Sequence, residues 1–246
     1  MEYSDVIRSI SSNQHEILYN IMNLHNNGKP FDCDMTYSIG KFYGKFNIES
    51  PDGVKHEIEI PQPQYKFDVM PQVEGVEKIE TNGPLPLDSE SINSIVIDLP
   101  FVISPSQSPS IFKEDKKANI IFKRFSGYYP WWTMFDSYFH WINEAYRVLK
   151  DGGICVFKTQ STISGGKNLM TPYYSWMIAE RCGFYTLDEF ILTAKNRLHS
   201  GKIKKQMHAR KFHSHFLVFK KDSKQKPIDY FKWQHINNKA RQDDNN

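Results

Sequence analysis

The run Ser94-Ile95-Val96-Ile97-Asp98-Leu99-Pro100-Phe101 constrains this 246-residue chain more than any other stretch. Three aliphatic, β-branched residues in a row, without polar alternation, read as a strand buried on both faces, as in a parallel sheet covered by helices. Pro100 cannot donate to a strand ladder, so the strand stops there. In open α/β sheets ligands gather at the carboxyl ends of the strands, which puts Asp98, Leu99, Pro100 and Phe101 at an edge where chemistry is done. A carboxylate acceptor beside backbone carbonyls and an aromatic face suits a flat heterocycle bearing an amino group. Four residues alone also fit a plain capped strand end, so the rest of the chain has to decide.

The surrounding pattern alternates strands and helices. Residues 1–29 read as helical, with Ser12 as cap and Ile17, Leu18, Ile21, Met22 and Leu24 on one face, ended by Asn26-Asn27-Gly28. Phe31 to Gly40 is a short acid-rich strand end followed by small hydroxyls and a glycine. The alternation of 42–60 around Pro51-Asp52-Gly53 predicts a β-hairpin. Tyr65 to Pro71 is a strand ending in Asp68, and an acid at a second strand end commonly bonds ribose hydroxyls in nucleotide-binding sheets. From Thr133, Phe135, Tyr138, Phe139, Ile142, Ala145, Tyr146 and Leu149 keep helical spacing until Asp151-Gly152-Gly153, and Ile154 to Phe157 is the next strand. Lys158-Thr159-Gln160 ends that strand in polar residues at the ligand edge. A further helix carries Met170, Tyr173, Tyr174, Met177 and Ile178, expected to face inward, and strands follow at 188–193 and 212–219.

Two loops are candidates for a polyanion. The long segment 103–130 mixes Lys123 and Arg124 with Phe125, Tyr128 and Tyr129, which suits bases on rings and phosphates on cations. From Lys195 to Lys221 there are nine Lys or Arg and four His without a single acid, against a net charge of only +3 for the chain. That concentration, holding Lys202, Lys204, Lys205, Arg210 and Lys211, favours phosphate binding over a merely solvated face. The Lys and Arg around His208, His213 and His215 disfavour a metal dication. Cys33, Cys155 and Cys182 are odd in number and far apart, which fits reduced thiols rather than a disulfide framework. No run approaches eighteen apolar residues and no basic-then-apolar leader is seen, so a cytoplasmic setting is expected. The expected organisation is one domain over 1–221 and a polar tail over 222–246.

Asp98-Leu99-Pro100-Phe101 resembles the Asp/Asn-Pro-Pro-Tyr/Phe signature of the amino-methylating nucleic-acid methyltransferases, with Leu99 where the first proline is usual. Glu144-Ala-Tyr-Arg-Val-Leu-Lys-Asp-Gly-Gly-Ile154 looks like the helix-to-strand junction that follows the catalytic strand in class I methyltransferases. Arg210 to Phe219 is similar to the closing strand of phage and bacterial adenine-methylase-like proteins. The resemblance covers most of residues 31–221. It implies an α/β, Rossmann-like sheet with helices on both faces, to which the hairpin and the basic loop are additions. It also implies S-adenosylmethionine as cofactor, held by Asp32, Asp34, Thr36, Ser38 and Gly40, with Asp68 on the ribose. The activity implied is methylation of the exocyclic amine of a DNA base, adenine N6, in a bacterial or phage-infected cell. Methylation of RNA or of cytosine N4, and a binding relative without turnover, stay open as alternatives.

Overall fold

The computed structural model describes residues 6–49, 53–103, 127–194 and 206–225. Eight strands make one mixed sheet. In spatial order they are β1 (Ile10–Ser11), β11 (Phe184–Thr193), β12 (His213–Lys221), β8 (Leu149–Thr159), β7 (Ile92–Ile97), β2 (Cys33–Asp34), β5 (Tyr65–Asp68) and β6 (Glu77–Lys78). Strand β12 runs antiparallel to both its neighbours, and the other adjacent pairs are parallel.

Strand alternation divides the core into two layers. Ile95, Ile97, Cys155, Phe157, Leu217 and Phe219 face helices α2 (Trp132–Val148) and α3 (Thr171–Arg181). Val96, Ile154, Val156, Phe216 and Val218 face the other way, towards helix α1 (Gln14–His25). Both sets are apolar because both faces are covered, which is why the central strands show no polar alternation. Where an α/β unit of this kind would place a helix after β2, the chain forms the hairpin β3 (Gly44–Glu49) and β4 (Lys55–Ile60). Ile58 and Ile60 are buried, and His15 of α1 stacks on Phe46 with ring centroids 3.4 Å apart. The hairpin thus shares the α1 layer.

The double glycine answers two separate constraints at the α2–β8 junction. Ile92 pairs with Leu149 and Ser94 with Ile154, so Asn93 alone lies opposite residues 150–153. Gly152 takes φ +84° in that outward turn, while a Cβ on Gly153 would stand 2.9 Å from the Asn93 carbonyl oxygen.

Three expectations need correction. Residues 1–29 are not uniformly helical, since Ile10–Ser11 pairs with β11 at the sheet edge. The cap of α1 is Asn13, whose side chain accepts from the His15 N–H, rather than Ser12. Helix α3 buries its small residues Thr171, Pro172, Ser175 and Ala179 against the sheet, leaving Met170, Tyr173, Tyr174 and Met177 outward. Its apolar residues simply outnumber the inward positions available.

Candidate active site

The register of three parallel strands assembles the site. Asp34 lies opposite Val96, and Ile97 opposite Phe157. The residue after Ile97, Asp98, therefore emerges between the loop after β2 and the end of β8. Its backbone N–H donates to Thr36 Oγ1 at 2.7 Å, and Lys158 Nζ donates to its Oδ2 at 2.9 Å. The Lys158 ammonium also stands over the rings of Phe42 and Phe216, 5.0 and 5.5 Å from their centroids. With side-chain exposures of 13% and 26%, the pair is shielded enough for its direction to be fixed. Lys158 was visible in the sequence only as a polar strand end. Placing it beside Asp98 requires knowing that the two strands are neighbours in register.

Beneath this pair is a hydrogen-bonded chain. The Thr36 hydroxyl donates to Asp34 Oδ1 at 3.2 Å, the Thr36 N–H donates to the same oxygen at 2.8 Å, and the Tyr43 hydroxyl donates to Oδ2 at 2.7 Å. Burial pushes the Asp34 carboxyl up to about 7, against the hydrogen bonds from Tyr43 and Thr36 that favour its charge. Asp34 is thus a 1%-exposed internal brace. Asp34, expected among the residues that hold the cofactor, has both carboxylate oxygens engaged by Thr36 and Tyr43 inside the loop. Asp32, expected there too, accepts at Oδ2 from the Asn93 backbone and side chain, at the amino end of β7 and away from Asp98.

Asp68 does stand at the carboxyl edge, where β5 ends. Its Oδ2 accepts from the Ser38 N–H at 2.8 Å and its Oδ1 from the Met70 N–H at 2.7 Å. It clamps Ser38, a non-glycine residue at φ +53°. Gly40 at φ +69° closes a turn on the Tyr37 carbonyl, and the space a side chain would need there is filled by the Tyr37 ring. The loop is therefore packed on itself rather than an open glycine cradle. Thr36, Ser38 and Asp68 are nonetheless brought together at one edge. Hydroxyls and a carboxylate there form a donor and acceptor set that fits a nucleoside with free hydroxyls.

The turn after Asp98 is held without the missing proline. Leu99 is 7% exposed and packs into the α2 layer, and the buried Tyr138 hydroxyl donates to the Pro100 carbonyl at 3.1 Å. Together with the Asp98 N–H bond, these contacts fix three successive residues. Phe101 follows, partly exposed. Two residues beyond Lys158, Gln160 Oε1 is buried with no hydrogen-bond partner among the described residues. The same side chain donates to the Lys211 carbonyl at 3.3 Å. His208 Nε2 lies 2.7 Å from the Gly166 carbonyl. The segment with Arg210 and Lys211 is thereby brought to the carboxyl edge. Lys123, Arg124, Lys202, Lys204 and Lys205 lie outside the described residues. No group of His, Cys, Asp and Glu among the described residues could hold a metal ion.

This sheet, with an Asp-x-Pro-Phe turn at the carboxyl end of its central strand, defines a Rossmann-like methyltransferase. More narrowly, the chain belongs to the N6/N4 DNA methylase family, whose profile matches residues 92–246. That family uses S-adenosylmethionine. No curated protein matches the chain. Among solved structures it is similar to a Thermus thermophilus protein named as a DNA modification methylase. The selenomethionine form of that protein is 16% identical over 58% of this chain and 51% of the other, with a TM-score of 0.34. A structure of the same protein complexed with S-adenosyl-L-methionine is 15% identical over 58% and 54%, again with a TM-score of 0.34. The chain spans about half the length of the structures it matches. No helix among the described residues is long and apolar enough to cross a membrane.

Proposed function

We propose that this chain methylates the exocyclic amine of a base in DNA, and that the base is adenine. The observation that carries the reading is the position of Asp98. It stands at the carboxyl end of the central strand, one hydrogen bond from the loop after β2, as transfer between two adjacent ligands requires. S-adenosylmethionine supplies the electrophilic methyl group when bound, and Ser38, Asp68 and the backbone of 36–40 are the groups that would hold it. The assignment to adenine rests on the resemblance of Arg210 to Phe219 to adenine-methylase-like proteins.

Each residue of the turn has its own part in the transfer. The target base leaves its stack, at a cost of a few kcal/mol in a duplex, and lies on Phe101. Lys158 occupies Oδ2 of Asp98, which leaves Oδ1 and the Leu99 carbonyl to accept from the two N–H groups of the amine. That pairing directs the nitrogen lone pair towards the methyl group. Transfer would break the methyl group's bond to the cofactor sulfur, leaving a neutral thioether, as the N–C bond forms, and the nitrogen would give up one proton through Asp98 to solvent. Most of the rate enhancement comes from orientation and fixed charge rather than from a strong base.

The test is transfer of labelled methyl from S-adenosylmethionine to unmethylated DNA and to RNA in parallel, with Asp98→Ala as control. The expected product is N6-methyladenine in digested DNA, lost in the variant. Label on cytosine N4 or in RNA would keep the chemistry and change the substrate. A protein that binds the cofactor and labels neither polymer would overturn the reading.

A further inference from the structure

Helices α2 and α3 both begin at the carboxyl edge, and there they expose an aromatic surface. Trp131 and Trp132 are 46% and 52% exposed, Tyr173 and Tyr174 59% and 46%, with Met170 and Met177 beside them. These side chains form one continuous patch. Trp131 packs edge-on to Trp132 and to Phe135, centroids 5.8 Å apart in each case, and Phe135 meets Tyr174 at 4.6 Å. A cavity of about 470 Å³ opens over α3, lined by Leu169, Met170, Tyr173, Tyr174 and Met177 with Asn168. The patch is physically joined to the active turn, since Phe135 and Tyr128 each pack on Tyr138, which holds the Pro100 carbonyl.

We propose that this surface is a stacking platform for unpaired bases of the nucleic-acid strand flanking the target. The inference rests on the reading of the chain as a DNA methylase and adds where the strand lies and what state it is in. Exposed apolar patches of this kind mark binding sites, and aromatic rings at a substrate edge accept any base by its face. Charge selects the occupant. Neither α2 nor α3 has an acid in its first turn, and Asp136 comes one turn further along α2. Lys167 lies on β10 (Lys167–Leu169), which pairs with β9 (Thr162–Ser164) and leads into the cavity, and the bond from His208 to Gly166 holds the chain just ahead of Arg210 and Lys211 beside it. On this proposal the bases lie on the rings and these cations are the partners of the strand's phosphates. A second copy of the chain would instead bring like charges against like across a two-fold axis. Base faces are accessible only when the strand is unpaired, so single-stranded or locally opened DNA is the ligand.

The experiment compares wild-type protein, Trp132→Ala, Tyr174→Ala and Trp132→Phe. It measures affinity for a fluorescent single-stranded oligonucleotide and for its duplex at several salt concentrations. Both alanine variants should bind the single strand about five- to one-hundred-fold more weakly, with the salt slope unchanged because every phosphate keeps its cation. Trp132→Phe should keep most of the affinity, and melting temperature and cofactor affinity should stay at wild-type values. If wild-type protein binds and methylates DNA while the alanine variants bind as tightly, the platform is overturned and the functional reading stands. Unchanged affinity with a dimer converted to monomer assigns the patch to a copy of the chain and likewise overturns it. No oligonucleotide binding by wild-type protein overturns both.

Discussion

Lys158 Nζ stands 2.9 Å from Asp98 Oδ2 because β7 and β8 run parallel with Ile97 opposite Phe157, so the next residue on each strand projects side by side. The ammonium fixes which carboxylate oxygen remains for the substrate amine. In Lys158→Met the carboxylate keeps its partial burial but loses its anchor and can swing. Misplacement on the ångström scale costs up to about a hundredfold in rate, so kcat should fall about ten- to one-hundred-fold. Cofactor affinity, measured by calorimetric titration, should change less than about twofold, and Lys158→Arg should recover part of the rate. An equal loss in cofactor affinity would show the pair to be part of the cofactor scaffold instead.

Thr36 joins the two halves of the site through one hydroxyl, which accepts from the Asp98 N–H and donates to Asp34. Thr36→Val keeps the shape and removes both bonds, leaving the Asp98 N–H without its acceptor and Asp34 Oδ1 with the backbone N–H of residue 36 alone. The expected loss is about 1–3 kcal/mol in urea unfolding. Methyl transfer should fall with it, and Thr36→Ser should restore both. Full activity in a destabilised Thr36→Val protein would separate the brace from the chemistry.

What the sequence made legible follows from the range of each signal. The strand through Ser94 to Ile97, the turn at Asp98 to Phe101 and the junction at Gly152-Gly153 are local patterns, and each is read from its own few residues. Asp32 and Asp34 are alike in the sequence, both acids at one strand end. Only the pairing of β2 with β7 shows that Asp32 bonds Asn93 at the amino edge while Asp34 is buried under Thr36. Lys158 and Tyr138 gain their roles from strands and helices distant in sequence, so no window around either reveals them. The outward turn of Tyr173 and Tyr174 depended on which of two apolar faces of α3 would meet the sheet. Small residues won that contest because they let the helix approach closely.

Asp34 gives stability a pH dependence of unusual sign for a carboxyl. Its value in the folded protein, about 7, is above the ordinary 3.8, so the folded state binds more protons than the unfolded state between those limits. Stability contributed by the protonated form is therefore present at low pH and lost as pH rises through that window. The slope is at most about 1.4 kcal/mol per pH unit and the total about 4 kcal/mol. Asp34→Asn mimics the protonated acid: its amide can donate to Tyr43 while its carbonyl accepts from Thr36. The melting temperature of the wild-type protein should decline from pH 5 to 8 relative to that of the variant. Parallel curves would mean that Asp34 titrates as an ordinary carboxyl.

Arg210 and Lys211 are the described cations of the acid-free segment ahead of β12, set at the carboxyl edge by the bonds from Gln160 to the Lys211 carbonyl and from His208 to Gly166. If both meet phosphates, replacing them by alanine removes two sites of counterion release. The logarithmic salt slope of DNA binding should then flatten by about 0.7 (single strand) to 0.9 (duplex) for each phosphate no longer neutralised. The weakening should be uniform across sequences, because phosphate contacts position the strand without reading it. Backbone atoms carry the anchoring bonds of Lys211, so the double variant should melt with the wild-type protein. Weaker binding at an unchanged slope would mean that these two side chains touch bases rather than phosphates. Unchanged affinity and slope together would place the polyanion surface elsewhere on the chain.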